Sequence, residues 1–203
     1  MHALLVAAFA FLVGAIPFSQ IAARVTRGVD LRTVGPGTVS GTSLYRVSGF
    51  PALAVAGVAE VAKGAVGPLL AGSSRPVLAA LCAGLAVAGH NWSPYLRFAG
   101  GRGVSPALGA FLVLAWPGTV LLLVGMGVGK LAHQAGLGTF IALVLLVPLL
   151  AATHGSHGAL AGTAVLVPML VKRAIGNGPP PDRVLGAYTH RIVYDRDRGV
   201  AAA

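Results

Sequence analysis

Long apolar runs dominate the sequence and leave few folds open to it. They cover approximately residues 3–23, 50–72, 77–96, 104–133, 137–153 and 157–172. A helix needs about 20 apolar residues to cross the hydrocarbon core of a bilayer. Only 10% of the residues are charged, whereas soluble domains carry about 25%. The sequence therefore predicts an all-α, polytopic integral membrane protein.

The apolar runs indicate about seven transmembrane helices, some of them short. The fourth run is too long for one crossing, and Trp116-Pro117-Gly118 lies near its middle. Because Pro-Gly marks a turn, we expect two short helices there, over about 104–115 and 118–132. The first run lacks the basic segment that opens a signal peptide, so we interpret it as a retained helix.

The basic residues predict the orientation. With seven helices and the amino terminus outside, the basic residues of the loops and the tail from Arg24 onward fall on the cytoplasmic side except Arg75, as the positive-inside rule requires. The net charge of +10 is thus spread over short loops and the tail, and we expect no nucleic-acid partner. We predict one transmembrane domain over 1–175 and a polar cytosolic tail over 176–203, on the membrane surface or partly disordered.

The stretch Asp30–Arg46 is the long polar interval between the first two apolar runs. It carries Gly35, Gly37 and Gly41 together with five serine and threonine side chains and two arginines. Glycines let backbone N–H groups converge on one point, and such nests bind anions. Hydroxyl groups and arginines add donors that a phosphate accepts. The alternative is a solvated connector.

Two ionisable residues lie inside the second apolar run. Glu60 and Lys63 are three residues apart, so they share a helix face and can pair. Ionisable groups in a membrane span usually face an interior or a wet cavity. Either Lys63 helps to hold an anion that Glu60 orients, or the two form an internal ion pair with Lys63 extended to the interface.

A second polar cluster precedes the fourth run. Gly100-Gly101-Arg102-Gly103 leads into a helix that we expect to begin near Val104, which would offer free amides, a positive dipole end and the fork of Arg102 to an anion. His90 is either a ligand or base, or an interfacial residue. His154 and His157 lack a nearby carboxylate or cysteine, so we expect no metal site there.

These segments resemble the bacterial membrane acyl-phosphate:glycerol-3-phosphate acyltransferase (PlsY) family. Asp30–Arg46 aligns without a gap with the family pattern DxRxxGSGNxGATNxxR. Gly14–Pro17 is similar to GSIP, and Glu60–Gly64 to DxxKG. Residues 89–104 are similar to GHxFPxFxxFKGGKGV, and residues 173–177 fall on a carboxyl-terminal RHxxN pattern.

The resemblance implies a bacterial inner-membrane enzyme of seven helices with its motif loops in the cytosol. Such an enzyme transfers an acyl group from acyl phosphate to the sn-1 hydroxyl of glycerol 3-phosphate and makes lysophosphatidic acid. Its partners are these two substrates and membrane lipids. Acyl phosphate is already activated, so neither a protein nucleophile nor a cofactor or metal is needed.

The resemblance also implies roles for individual residues. The implied catalytic residues are Thr38, Ser43, His90 and Arg102. The implied substrate-binding residues are Gly35, Gly37, Thr42, Arg46, Glu60, Lys63, Gly100, Gly101, Gly103 and Asn177.

Several family positions are changed. Pro36, Thr38 and Ser43 replace a serine and two asparagines, Arg102 replaces a lysine, and Ala174 replaces the histidine of RHxxN. The alternative prediction is therefore a divergent, non-catalytic relative that binds or transports an anionic lipid or a phosphorylated metabolite.

Overall fold

The computed structural model describes residues 2–35, 37–180 and 184–197, and all regular structure among them is helical. The α-helices are α1 (Ala3–Gly14), α2 (Phe18–Arg27), α3 (Gly41–Ala71), α4 (Pro76–Asn91), α5 (Val104–Leu114), α6 (Trp116–Leu131), α7 (Ala135–Ile175) and α8 (Leu185–Tyr194). Short 3₁₀ turns lie at Leu31–Thr33 and Pro94–Leu96. The predicted all-α fold is confirmed.

The first apolar run is not one helix, as we had expected over 3–23. α1 ends at Gly14, and α2 begins at Phe18. Pro17 lies in the break, and proline has no N–H to donate to the preceding turn of a helix. The break leaves backbone carbonyl groups of Ala15 and Ile16 available to other parts of the protein, which proves important for the site.

α3 begins in the polar interval, well before its apolar run. Ser40 caps it, since the serine hydroxyl accepts a hydrogen bond of 3.2 Å from the N–H of Ser43. Gly49, with φ of 77°, interrupts the helix and separates a polar first arm from the apolar arm over residues 50–71. The polar arm therefore rests on the end of the bundle.

The breaks further along the chain follow the sequence. α5 and α6 meet at Ala115, beside the predicted Trp-Pro-Gly turn. α7 bends at Gly155, where φ is 61°, into two arms over 135–154 and 156–175. At 1.5 Å per residue each arm is about 30 Å long, the thickness of a hydrocarbon core.

Within the described residues, three stretches are long and apolar enough to cross a membrane by length and composition: Ala3–Arg27, Gly41–Ala71 and Ala135–Ile175. Each arm of α7 is about as long as the hydrocarbon core is thick, whereas α5 has only 11 residues. The count of seven crossings stays a prediction.

Small residues let the helices pack closely. Gly64 of α3 lies against the backbone of Pro106 in α5, and Gly109 of α5 lies against the backbone of Val61 in α3. A Cβ atom at either glycine would overlap backbone atoms of the other helix. Small residues at such contacts are typical of helices packed in lipid. These contacts fix α3 and α5 side by side below the motif loops.

Apolar side chains fill the bundle and also cover its outside. The inner cluster is formed mainly by α4, α5, α6 and α7, with Phe111, Leu122, Leu143 and Leu146 fully buried. Other large apolar side chains, such as Leu4, Val55 and Val58, point outward and are more than two-thirds exposed. An apolar exterior of this kind fits a protein surrounded by lipid.

The tail folds back onto the bundle rather than lying apart from it. Arg173 in α7 donates hydrogen bonds to the carbonyl oxygens of Ile192 (2.7 Å) and Gly136 (2.8 Å). Gly136 lies at the start of α7 and Arg173 near its end. These hydrogen bonds therefore connect α8 to both ends of α7, which face the motif loops. The described part of the predicted tail is thus largely a packed helix, and residues 181–183 and 198–203 lie outside the described residues.

Candidate active site

Two glycine-rich loops meet at one end of the bundle. The first precedes α3 and the second precedes α5, and the N–H of Val39 donates to the carbonyl oxygen of Gly100 at 3.3 Å. Asn177 joins them from the end of α7. Its Nδ2 donates to the carbonyl oxygens of Gly37 (2.9 Å) and Gly100 (3.1 Å), while its Oδ1 accepts from the N–H of Gly100 (3.2 Å).

Ion pairs hold the first loop before it reaches α3. Asp30 pairs with Arg32 at 2.6 Å and with Arg24 at 2.9 Å. Its carboxylate also accepts a hydrogen bond from the N–H of Arg32. The hydrogen bonds from Arg32 hold the pKa of Asp30 well below its usual range. The contacts of Arg32 with Asp30 therefore stabilise the conformation of the first loop.

A buried carboxylate lies below the loops. Glu60 Oε2 is 2.6 Å from Lys63 Nζ and 3.1 Å from His90 Nδ1. Its Oε1 accepts hydrogen bonds from both the N–H and the hydroxyl of Ser19. The side chains of Glu60 and Lys63 are at most 3% exposed. The two form the predicted internal ion pair, but Lys63 does not extend to the interface.

The break between α1 and α2 supplies two acceptors to this region. Lys63 Nζ donates to the carbonyl oxygen of Ile16 at 2.6 Å, and the Ser93 hydroxyl donates to that of Ala15 at 2.6 Å. Buried carbonyl groups need such partners. The Gly14–Pro17 segment therefore has a defined function in the fold, since it anchors the side chains that support the two loops.

His90 is enclosed by this arrangement. Its Nδ1 faces Glu60, and its Nε2 lies so close to Gly101 that a Cβ atom there would overlap it. The residue is only 9% exposed. His90 therefore packs under the second glycine-rich loop, and its imidazole has little access to a substrate in this conformation.

Arg102 lies in the second loop and faces the carboxyl-terminal segment. Its Nη1 donates to the carbonyl oxygen of Lys172 at 2.9 Å, and its Nε lies 2.7 Å from Asp195 Oδ1. The close Nε–Oδ1 approach is not aligned as a hydrogen bond. Asp195 thus acts on Arg102 as a neighbouring negative charge.

The remaining predicted residues line the first loop and the start of α3. Thr38 and Ser43 are buried, and the Ser43 hydroxyl lies 3.1 Å from that of Ser40. Thr42 and Arg46 are exposed on the polar arm of α3. Within the described part of the chain, Arg46 forms no hydrogen bond or ion pair, so its guanidinium is available to a ligand.

An open cavity of about 510 Å³ lies beside Asn177. Its lining is largely aromatic and aliphatic, with Lys172, Arg97 and Asn177 as polar members. Among the described residues, no three His, Cys, Asp or Glu side chains come together as a metal-binding group would require. His154 and His157 are exposed at the bend of α7.

Residues 4–177 match the family described as "Glycerol-3-phosphate acyltransferase". The chain belongs to this family. It is 35% identical over 174 residues to the glycerol-3-phosphate acyltransferase of Synechococcus sp. (strain CC9902), covering 84% of this chain and 86% of the relative. It is 33% identical over 149 residues to that of Thermoanaerobacter sp. (strain X514), covering 72% and 75%.

The fold is also similar to a solved structure. This is the crystal structure of PlsY (YgiH), an integral membrane glycerol 3-phosphate acyltransferase, in its glycerol 3-phosphate form. The TM-score is 0.76 at 24% identity, covering 84% of this chain and 88% of the other. The membrane-protein fold of the glycerol-3-phosphate acyltransferase family is therefore shared.

The sequence predicted most of the groups that gather in this member of the acyltransferase family. Both glycine-rich loops and Asn177 come together, with Glu60, Lys63 and His90 directly underneath. Ser19, Lys172 and Asp195 were missed. Ser19 lies in an apolar run without any motif, and Asp195 belongs to an alternation of Arg and Asp that is typical of a solvated tail. Lys172 was counted only as a basic residue of the cytoplasmic side.

Proposed function

We propose that this acyltransferase moves a fatty acyl group from acyl phosphate to the sn-1 hydroxyl of glycerol 3-phosphate and so makes lysophosphatidic acid. The observation that carries the proposal is the joining of the two glycine-rich loops by Asn177. Both proposed substrates carry a phosphate, and the junction places the two glycine-rich loops side by side, where their remaining amides and the guanidinium group of Arg102 can bind one.

Two helix termini reinforce this end of the bundle. α3 begins at Gly41 after the first loop, and α5 begins at Val104 after the second. The amino-terminal end of a helix carries unpaired N–H groups and a partial positive charge. We assign phosphate binding to the amides of Gly35 and Gly103 and to the guanidinium groups of Arg46 and Arg102. The N–H groups of Gly37, Gly100 and Gly101 donate to Val34, Asn177 and His90, so we assign these three glycines to shaping the binding loops. Thr42 lies on the exposed first turn of α3, where its hydroxyl can add a donor.

The chemistry needs no nucleophile from the protein. The sn-1 hydroxyl oxygen attacks the acyl carbon, the bond between that carbon and the phosphate oxygen breaks, and inorganic phosphate leaves. The hydroxyl proton passes to a phosphate oxygen. Arg102 stabilises the negative charge that develops on the departing phosphate, and Thr38 donates a hydrogen bond in the same region.

The buried residues act by positioning the loops. Glu60 and Lys63 hold α2, α3 and the carbonyl group of Ile16 together, and His90 supports Gly101. We therefore assign His90 a positioning role in place of the catalytic role that the sequence implied. Ser43 is assigned the same kind of role, because its N–H and hydroxyl are both engaged with Ser40.

We further propose that the protein lies in a bacterial inner membrane with its amino terminus outside and its carboxyl terminus in the cytoplasm. The support is the distribution of charge. The loops and helix ends at the site, together with the carboxyl-terminal segment, carry most of the basic residues, whereas the turn between α3 and α4 carries Arg75 alone.

An assay with purified protein tests the proposed reaction. The protein in detergent is incubated with palmitoyl phosphate and labelled glycerol 3-phosphate, and lysophosphatidic acid is measured. We expect turnover that Arg46→Ala reduces strongly, with Arg27→Ala on the exposed end of α2 as the matched control. No product above the Arg46→Ala background would refute the proposed reaction.

A second candidate is a divergent relative that binds or transports an anionic lipid or phosphorylated metabolite without turnover. The observation that favours it is the contact of Asp195 with Arg102, which places a carboxylate where a phosphate would bind. Binding of glycerol 3-phosphate without product, together with failure to rescue a strain lacking its own acyltransferase, would support this candidate. Rescue by the wild-type gene would exclude it.

A further inference from the structure

Asp195 places a buried carboxylate oxygen beside Arg102. Its Oδ1 lies 2.7 Å from Nε of Arg102, and neither atom has a hydrogen-bond partner among the residues that the structure describes. Buried polar atoms of folded proteins nearly always have such a partner, so this exception needs an explanation. The contact is electrostatic, and it joins the end of α8 to the residue that we assign to the departing phosphate.

Arg102 is held from two sides, which leaves one nitrogen of its guanidinium group over. Nη1 donates to the carbonyl oxygen of Lys172 at 2.9 Å, and Asp195 lies against Nε. Nη2 forms no hydrogen bond within the described part of the chain, and 17% of the side chain is exposed. Because the guanidinium group is planar and rigid, fixing two of its nitrogens determines the direction of the third.

The end of α8 is attached too firmly to α7 to act as a lid. Arg191 of α8 donates to the carbonyl oxygen of Gly178 at 2.7 Å and pairs with Asp197. Gly136, in the first turn of α7, lies against the carbonyl oxygen of Tyr194, which an added Cβ atom would overlap. The carboxylate that follows Tyr194 is therefore held in place beside the second glycine-rich loop.

We propose that Asp195 is a positioning residue of this acyltransferase, which orients the guanidinium group of Arg102 so that Nη2 faces the departing phosphate. The proposal rests on the proposed function, since it extends the role that we assigned to Arg102 there. α8 lies beyond residues 4–177, over which the chain matches its family. The family pattern has a lysine in place of Arg102, and a lysine has no planar fork to orient. The arginine and the carboxylate therefore belong together as one unit of this chain.

The benefit to the reaction is a guanidinium group that is already in position when charge develops on the phosphate. Groups fixed in advance stabilise a transition state without the cost of reorganising. Asp195→Asn removes the charge and keeps the shape of the side chain. It also preserves the backbone, because φ of Asp195 is 55° and asparagine adopts this left-handed conformation readily. The change therefore isolates the effect of the carboxylate charge.

Kinetics with palmitoyl phosphate and labelled glycerol 3-phosphate test the proposal on the full-length protein in detergent. Asp195→Asn should lower kcat about tenfold and leave KM for both substrates unchanged, the pattern of an interaction made in the transition state. Its unfolding temperature should stay close to that of the wild type. A higher kcat, or a lower KM for palmitoyl phosphate, would overturn the proposal, because the carboxylate would then obstruct the phosphate.

Asp197→Asn is the matched control. Asp197 belongs to the same segment and pairs with Arg191, and within the described residues it forms no hydrogen bond or ion pair with Arg102. The variant should lower the unfolding temperature and leave kcat unchanged. Equal losses of kcat in the two variants would overturn the proposal, because Asp195 would then act only through the folding of α8.

A double-mutant cycle with Arg102→Lys tests whether Asp195 acts through the guanidinium group. Lysine keeps the positive charge but has a single nitrogen, so the effect of Asp195→Asn on kcat should shrink to less than about twofold in this background. The same loss of kcat in both backgrounds would overturn the proposal. If Asp195→Asn does not fold, Asp195→Gly takes its place in every comparison, since glycine accepts a positive φ.

A chemical probe separates failure of this role from failure of the reaction. Phenylglyoxal modifies accessible arginines, and mass spectrometry of the peptide that contains Arg102 gives the rate of its modification without turnover. Arg102 should react severalfold faster in Asp195→Asn than in the wild type, and at the wild-type rate in Asp197→Asn. This result in a protein that makes no product would refute the proposed reaction and keep the positioning role. Wild-type turnover with unchanged kcat and unchanged modification in Asp195→Asn would refute the positioning role and keep the reaction.

Discussion

Oε2 of Glu60 lies 3.1 Å from Nδ1 of His90, and this contact joins α3 to α4 directly below the second glycine-rich loop. The other carboxylate oxygen accepts two hydrogen bonds from Ser19 in α2. One buried side chain thus connects three helices. Because a buried carboxylate is costly unless it is paired and hydrogen-bonded, all of these partners are needed together.

Removing the Glu60 carboxylate should destabilise the fold strongly. Glu60→Ala leaves Lys63 buried without its counter-ion, and breaking a buried pair in this way costs about 3–5 kcal/mol. The free energy of unfolding, measured by denaturant titration in detergent, should fall by an amount of this order. The double variant Glu60→Ala/Lys63→Met removes both charges and should be the more stable of the two. If both variants lose the same stability, the pair does not act as described.

Local spacing explains how much of this cluster the sequence could predict. Glu60 and Lys63 are three residues apart on one helix, so their pairing follows from helix geometry alone. Ser19 and His90 are 41 and 30 residues away from Glu60. Their contacts depend on how α2 and α4 pack against α3, which no local pattern reveals.

The apolar runs likewise predicted the long helices but not the contacts and breaks that depend on the folded chain. The apolar runs predicted the helices over 50–71 and both arms of α7, because lipid selects long apolar segments. They did not predict the break at Ala15–Pro17, where the hydrophobicity continues although the helix does not. They also did not predict that α8 returns to the bundle, since Asp195 meets Arg102 only after the chain has folded.

Asn177 should be essential for activity because it holds the two glycine-rich loops together. Asn177→Asp keeps an acceptor for the N–H of Gly100 but loses both donated hydrogen bonds and adds a negative charge beside the proposed phosphate site. At about 1 kcal/mol for each lost hydrogen bond, kcat/KM should fall at least about tenfold in the acyltransferase assay.

The matched control is Thr153→Ala, at an exposed position near the bend of α7. It should leave kcat/KM unchanged. An Asn177→Asp protein as active as the wild type would show that the loops hold their arrangement without this side chain.

Asp30 should make the stability of the folded protein depend on pH. Its pKa is depressed in the folded protein, mainly by hydrogen bonds from Arg32. A depressed carboxylate pKa stabilises the fold above the unfolded-state value of about 3.9, and the contribution is lost as pH falls below it toward the folded-state pKa. The unfolding temperature of the wild-type protein should therefore decrease below about pH 4. The unfolding temperature of the Asp30→Asn protein should decrease less over the same pH interval. Parallel pH profiles for the two proteins would contradict this contribution.

Gly101 should tolerate no side chain, since it lies between the imidazole of His90 and the first loop. A Cβ atom on Gly101 would overlap His90 Nε2 and come within 2.5 Å of the carbonyl oxygen of Val39. The Val39 carbonyl oxygen is a backbone atom in a packed loop, so it cannot move aside as the end of a flexible side chain would. Gly101→Ala should therefore separate the two loops and lower kcat/KM at least about tenfold.

Gly57 provides the comparison, because a Cβ atom added there would meet no atom within 4 Å. It lies inside α3, where replacing glycine by alanine favours the helix by about 0.5–1 kcal/mol. Gly57→Ala should therefore keep full activity and unfold at the same or a slightly higher temperature. Equal activities of the Gly101→Ala and Gly57→Ala proteins would mean that the contact between the two glycine-rich loops is not required for acyl transfer.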